Sequence, residues 1–232
     1  MSSAATVKYN DFVIRFANVN GSGSASANGM FAKALFRMGI PVATRNIFPS
    51  NIQGLPTWFE VRVSEKGYLG RREGVDIMVA MNAETLVEDV ASVSPGGYLL
   101  YDNSKPLAKT LRRDDIHEIG IPIANMMLPE FADPKQRSLF KNITYLGALA
   151  GLLNIEFDVI TGMVAKQYKG KDALIAPNIR SLEIGRDYAL RYLQAPLPLQ
   201  VRRSDAVGDR IMIDGNDAAG LGAVYGGSTV CA

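Results

Sequence analysis

Three stretches of this sequence carry groups of the kind that hold a ligand. The first is Gly21-Ser22-Gly23-Ser24, which follows an apolar run and precedes a helix-patterned one. Glycines at that place let the backbone approach a phosphate, and the next helix offers unpaired N–H groups at the positive end of its dipole. A tight turn that binds nothing is the alternative use of the same glycines. The second stretch is the irregular loop held by Pro49, Gly54 and Pro56, with Asn51, Gln53 and Trp58 on it. A fixed backbone bearing amide side chains often carries function. The third is Asn142, which falls off the apolar stripe of a long helix-patterned segment and faces either a ligand or solvent.

The charges around the glycine loop narrow the ligand. A dinucleotide fingerprint, G-x-G-x-x-G, ends on a third glycine where this chain has Ser26, and expects an acid on the ribose roughly 20 residues on. No Asp or Glu occurs between Asp11 and Glu60, whereas Lys33, Arg37 and Arg45 do. NAD is disfavoured. A site for an additional phosphate stays open. Asp102 closes a predicted strand and reads as a turn cap over Asn103 and Ser104.

Other chemistry is excluded by what the sequence lacks. Its one cysteine, Cys231, and one histidine, His117, cannot assemble a zinc site or a four-thiolate iron–sulfur cluster. A Ser-His-Asp relay is equally unsupported, and no G-x-x-x-x-G-K-[ST] motif occurs. A formal net charge of +2 gives no reason to expect nucleic acid. The first ten residues lack the basic and apolar regions of a signal peptide. The apolar-looking run from Ile143 to Ile155 is too short for a membrane span. A cytoplasmic protein with no membrane partner is expected.

The elements that position these groups follow from periodicity. Phe12 to Val19 reads as a buried strand. Met30, Phe31, Ala34, Leu35 and Met38 recur at helical spacing until Gly39, and Pro41 to Phe48 reads as the next strand. Strand, helix, strand predicts a βαβ unit and a parallel sheet. Trp58 to Ser64 alternates as a strand, Val75 to Met81 reads as a buried one, and Ala83 to Val90 as a short helix. A turn is expected at Pro95-Gly96-Gly97, then strands over Tyr98 to Tyr101 and Ile121 to Met127, with His117 on a solvated loop. From Ser138 onward the pattern is helical: Leu139, Ile143, Leu146 and Leu153 form one stripe, with Gly147 and Gly151 allowing close helix contact. Phe157 to Tyr168 and Asp172 to Tyr192 follow, the last with a break expected at Pro177. With 47% hydrophobic and 21% charged residues the chain has material for one sizeable core. Ala195 to Arg210 reads as a linker, and Ile211 onward as the beginning of something new.

Several of these segments together resemble the gamma domain of 2-oxoacid:ferredoxin oxidoreductases. They are the Gly21-Ser22-Gly23 loop, Ile47 to Ser64 (IFPSNIQGLPTWFEVRVS), Asp76 to Asn82 (DIMVAMN), Pro95 to Asp102 (PGGYLLYD) and Lys141 to Ala148 (KNITYLGA). Their order and spacing hold from about Phe12 to Tyr188. Ile213 to Gly222 (IDGNDAAGLG) is similar to the opening of the alpha domain that follows the gamma domain in many relatives. The resemblance implies an α/β fold, a three-layer Rossmann-like and mostly parallel sheet with flanking helices. It implies a gamma domain over 1–194, a linker over 195–210 and a truncated alpha-domain start over 211–232.

It also implies part of an enzyme that decarboxylates a 2-oxoacid, such as 2-oxoglutarate or pyruvate, to an acyl-coenzyme A. Alpha and beta subunits and ferredoxin are the implied partners. Thiamine diphosphate, magnesium and the iron–sulfur cluster would lie in those partners, and coenzyme A at or near this domain. Gly21, Ser22, Gly23, Ser24, Arg45, Asn51, Gln53 and Asn142 are the expected binding residues, and no residue of this chain is expected to be catalytic. The family loop is usually richer in glycine and carries Gln or Glu where Ser22, Ser24 and Ala25 stand here. An NADP-dependent dehydrogenase domain is the alternative.

Overall fold

A computed structural model describes residues 6–19, 21–48 and 56–229. Strand β1 (Lys8–Tyr9) leads into β2 (Asp11–Val19), followed by α1 (Ser24–Arg37), β3 (Val42–Ile47), β4 (Pro56–Ser64) and β5 (Val75–Ala80). Helix α2 (Leu86–Ser92), β6 (Val93–Asp102), β7 (His117–Ile121) and α3 (Ile123–Met127) come next. The chain continues through α4 (Pro134–Leu153), α5 (Phe157–Gln167), α6 (Asp172–Tyr192), β8 (Leu199–Gln200) and α7 (Gly215–Tyr225). No helix among the described residues is long and apolar enough to cross a membrane.

The main sheet has the order β3-β4-β2-β5-β6-β7. Alternation along β2 sends Phe12, Ile14 and Phe16 into the larger core beneath α1, α4, α5 and α6. Ala17, one step out of phase, joins Met78, Val90 and Leu99 in the smaller core under α2. The result is three layers around a mostly parallel sheet. The expected βαβ unit needs one correction. Strand β3 runs with β2 but does not pair with it, because β4 inserts between them and is antiparallel to both. The period-two pattern of β4 does not record which neighbour it chooses.

Three boundaries also differ from the periodicity. Pro95-Gly96-Gly97 lies inside β6 as an irregularity: Val75 pairs with Val93, but Ile77 already pairs with Tyr98. The strand expected over 121–127 is instead β7 followed by the short helix α3. His117 opens that strand and stacks on Tyr98 at 5.0 Å between ring centroids. Pro177 lies within one continuous α6, and the break expected there is absent.

Helix α4 runs through the middle of the helical layer, starting from Asp133, whose carboxylate accepts the Lys135 N–H at 3.0 Å. From Asn142 to Leu153 every residue is buried, whereas Leu139 at the start of the expected stripe is half-exposed. Helix α6 crosses α4 at glycines on both helices. A Cβ on Gly147 would lie 2.0 Å from the Leu182 carbonyl oxygen, and one on Gly185 would lie 1.9 Å from that of Thr144. Gly151 meets Ala189 in the same seam, as its spacing from Gly147 predicted.

The stretch read as a linker is strapped to the domain. Leu197 and Val201 donate their N–H groups to the Leu152 and Leu153 carbonyls, and Ser204 and Val207 donate to Met38 and Gly39. Strand β8 pairs in parallel with β1. Asn10 and Arg202 exchange two hydrogen bonds, at 2.8 and 2.9 Å. Beyond this strap comes α7, with none of its residues buried.

Candidate functional site

At the C-terminal edge of the sheet the chain leaves β2 toward α1 on one face, while β5 leaves toward α2 on the other. The crevice between β2 and β5 is therefore the place where an open α/β sheet binds ligands. The glycine loop lies at its β2 side. Gly21 and Gly23 both take left-handed conformations, with φ of 82° and 78°, which a residue with a Cβ adopts only at a cost. Gly23 is also the N-cap of α1. No side chain caps that end, and no acidic residue lies in its first turn. The first N–H groups of α1 thus face the loop without intrahelical partners. At physiological pH such an end attracts an anion.

Helix α4 holds this loop in shape. Asn142 is buried and donates its Nδ2–H to the Ser22 carbonyl oxygen at 2.8 Å. A Cβ on Gly23 would lie 2.7 Å from Leu139 Cδ1, so α4 closes over the turn. The expectation that left Asn142 free to be a surface amide is corrected here. It lies off the stripe facing the sheet because it faces α1 and the loop.

A second tie joins the same three elements. Asn28 of α1 donates to Asn18 of β2 at 3.0 Å, and Tyr145 of α4 donates its hydroxyl to Asn28 Oδ1 at 2.6 Å. All three side chains are buried. Burial pushes the Tyr145 hydroxyl well above its usual range, so it serves as a fixed donor and not as a base. This network was not foreseen. The recurrence of Asn142 and Tyr145 at a three-residue spacing in the Lys141–Ala148 segment was its only sequence signal.

The fold brings Gly21, Ser22, Gly23, Ser24 and Asn142 together. It does not bring Arg45 to them. Arg45 pairs across the sheet with Glu60, which pairs with Arg15, and paired residues share a face. That face is the α2 side, opposite α1, and Arg15 lies four residues below the end of β2, about 13 Å at ~3.3 Å per residue. Glu60 is already engaged by Arg15 at 2.6 Å. Arg45 therefore cannot join an anion held by the glycine loop, because the inserted β4 carries it two strands away. Asn51 and Gln53 lie outside the described residues.

On the β5 side of the crevice the edge carries different chemistry. Asp102 accepts N–H bonds from Ser104 at 3.0 Å and Ala124 at 3.1 Å, so it caps the turn as expected and also the start of α3. Lys141 lies 3.6 Å from it. Nearby, Trp58 Nε1–H and the Thr85 hydroxyl donate to the two oxygens of fully buried Asp89, at 2.8 and 2.7 Å. Burial raises the Asp89 carboxyl above its usual value despite these two bonds. No group of three or more His, Cys, Asp or Glu side chains suited to a metal occurs among the described residues.

The family described as pyruvate ferredoxin/flavodoxin oxidoreductase matches residues 13–188. The alpha subunit of 2-oxoacid:ferredoxin oxidoreductase 2 from Aeropyrum pernix is 23% identical, the match covering 89% of this chain and 38% of that protein. A solved structure of 2-oxoglutarate:ferredoxin oxidoreductase from Magnetococcus marinus, with 2-oxoglutarate, coenzyme A and succinyl-CoA bound, superposes with a TM-score of 0.83. It is 26% identical and covers 95% of this chain and 38% of its own. The gamma subunit of a keto/oxoacid ferredoxin oxidoreductase from Geobacter sulfurreducens superposes with a TM-score of 0.63 at 22% identity. It covers 77% of this chain and 98% of its own, and shows the shared fold. The chain thus spans about two-fifths of the length of the longer relatives.

Proposed function

The chain belongs to the pyruvate ferredoxin/flavodoxin oxidoreductase family, and from that premise we propose that it supplies the coenzyme A-binding part of a 2-oxoacid:ferredoxin oxidoreductase. The observation that carries the reading is the uncapped N-terminus of α1, framed by Gly21 and Gly23 and held by Asn142. A coenzyme A-bound relative that superposes over 95% of the chain supports it.

In this reading the pyrophosphate of coenzyme A takes the first-turn N–H groups of α1, with the Ser22 and Ser24 hydroxyls beside it. Asn142 fixes the loop through its bond to the Ser22 carbonyl oxygen. Thiamine diphosphate would supply the decarboxylation chemistry. An iron–sulfur cluster would need more thiolates than Cys231 provides, so other parts of the enzyme would hold both groups. The partners are the alpha and beta parts of the same oxidoreductase, with ferredoxin as electron acceptor and a 2-oxoacid such as 2-oxoglutarate or pyruvate as substrate. Residues 1–194 then form the gamma domain, 195–210 its connection, and 211–232 the opening of the alpha domain. That no residue of α7 is buried supports the last assignment.

Calorimetric titration tests the site. Coenzyme A should bind the chain more tightly than NADP does, and Gly23→Glu should abolish that binding by bulk and charge repulsion. Equal coenzyme A affinity in the two proteins would return the loop to a turn-making role.

A further inference from the structure

Strand β7 is one edge of the main sheet, and its backbone groups divide between two sides. The Ile121 carbonyl accepts the Asn103 N–H at 3.0 Å, and the Asp115 carbonyl just before the strand accepts the Gly96 N–H at 2.6 Å. Both bonds run toward β6 and its end, and alternate residues of a strand send their N–H and C=O groups the same way. His117, Ile119 and Ile121 are therefore spent on β6, whereas Glu118 and Gly120 direct theirs off the sheet. No backbone bond from outside the strand pairs reaches Glu118 or Gly120 among the described residues.

Open edges are usually blunted by a bulge, a proline, a lysine or a covering segment. The β6–β7 register runs without a bulge, and β7 contains neither proline nor lysine. Beside it, on the α4 face, a groove of about 920 Å³ is lined by Tyr98, His117, Ile119, Leu152, Tyr192 and Leu197. Tyr192 is 65% exposed there, and aromatic side chains are enriched where proteins meet. The opposite edge, β3, is different: Val42 and Thr44 share a cavity wall with Ile211 to Gly215 of the same chain.

We infer that β7 pairs antiparallel with β7 of a second copy, about a two-fold axis through Ile119, and joins the two main sheets into one. The register follows from the residues. Within the strand, only registers that set outward residues opposite each other make bonds. Glu118 against Glu118 would oppose two like charges. Gly120 against Gly120 would bring Pro122, which has no N–H, against Glu118. Glu118 against Gly120 remains: each such pair exchanges both N–H···O bonds, and the carboxylate meets no side chain. On the α4 face this register puts Ile119 against Ile119 and His117 against Ile121. The axis stands perpendicular to the sheet, so the two grooves lie on one side and run together. A second copy is the occupant, and not an unrelated strand, because the edge is complementary to itself in bonds, charge and apolar face.

Sedimentation equilibrium of the 232-residue chain reads the association, and amide exchange followed residue by residue locates it. A concentration-dependent dimer is expected, with the Glu118 and Gly120 amides exchanging more slowly as it forms. Glu118→Pro removes an outward N–H and leaves the bonds to β6 in place. It deletes half of the bonds between copies and should weaken the dimer at least tenfold with the melting temperature held. Glu118→Gln keeps the N–H and should dimerise as well as wild type. Should the proline variant unfold, the exchange profile of the wild-type chain decides. A chain that stays monomeric to millimolar concentration overturns the inference, as does a dimer whose protection falls on Thr44 and Asn46 of β3. Protection of Glu118 and Gly120 that ignores concentration would mean that the chain covers its own edge, and overturns it too.

Discussion

Gly23 and Asp89 show how single residues are spent in this molecule. Gly23 combines a left-handed φ with a place under α4. Alanine there should cost about 1–2 kcal/mol for the backbone conformation alone, read as a shift in the urea midpoint, while Gly29→Ala, with open space around its Cβ position, should be neutral or stabilising. Asp89 is the opposite case: a buried carboxyl whose ionised form is disfavoured by burial. Because its folded pKa lies above the unfolded value, the protein binds a proton more readily folded. Its contribution therefore favours folding at low pH and is lost as pH rises from about 3.8 through the folded value. Asp89→Asn keeps an acceptor for Trp58 and should remove that part of the pH dependence without loss at neutral pH. Asp89→Ala strands the indole N–H and should cost about 1–3 kcal/mol, measured by denaturant titration at pH 5 and pH 8.

Among the elements, the α4–α6 pair is the most tightly constrained. Its glycines let backbone meet backbone, so a methyl group at Gly147 or Gly185 has nowhere to go. Overpacking of this kind costs about 1–3 kcal/mol and sometimes more, and Gly185→Ala should lower the melting temperature by several degrees. Gly162→Ala on α5, where a Cβ meets nothing, is the control and should raise helix stability slightly. Since α4 also carries Asn142 and Tyr145, the same substitution should loosen the glycine loop and weaken coenzyme A. Loss of stability with coenzyme A affinity intact would show that the seam and the loop are independent.

At the scale of the whole molecule the strap over 195–207 sets where the compact body ends. Arg202 and Arg203 are held by Asn10 and Glu156, whereas the chain beyond Arg210 carries a helix with no buried residue. Limited trypsin should cut first after Arg210 and spare Arg202 and Arg203, leaving a core with nearly unchanged melting. Hydrogen exchange should be fastest over 211–229 and slow at Val201 and Ser204, whose N–H groups are bonded to the core. Early cleavage at Arg202 or Arg203 would mean that the strap opens in solution.

Local chemistry is what the sequence could determine by itself. Apolar runs placed β2 and β5, alternation placed β4, 3.6-residue spacing placed α1 and the later helices, and two glycines after a strand marked the loop, because each signal depends only on near neighbours. The resemblance carried by five segments named the family. Tertiary structure decided everything that depends on which elements meet. It put β4 between β2 and β3, and so moved Arg45 to the far face of the sheet. It turned Asn142 from a polar interruption of a stripe into the clamp on Ser22, and converted 195–207 from a linker into a strap. It also buried Asn82 beside an apolar cavity. Strand order, facing and burial arise from contacts between residues tens of positions apart, and no periodicity within a single segment records them.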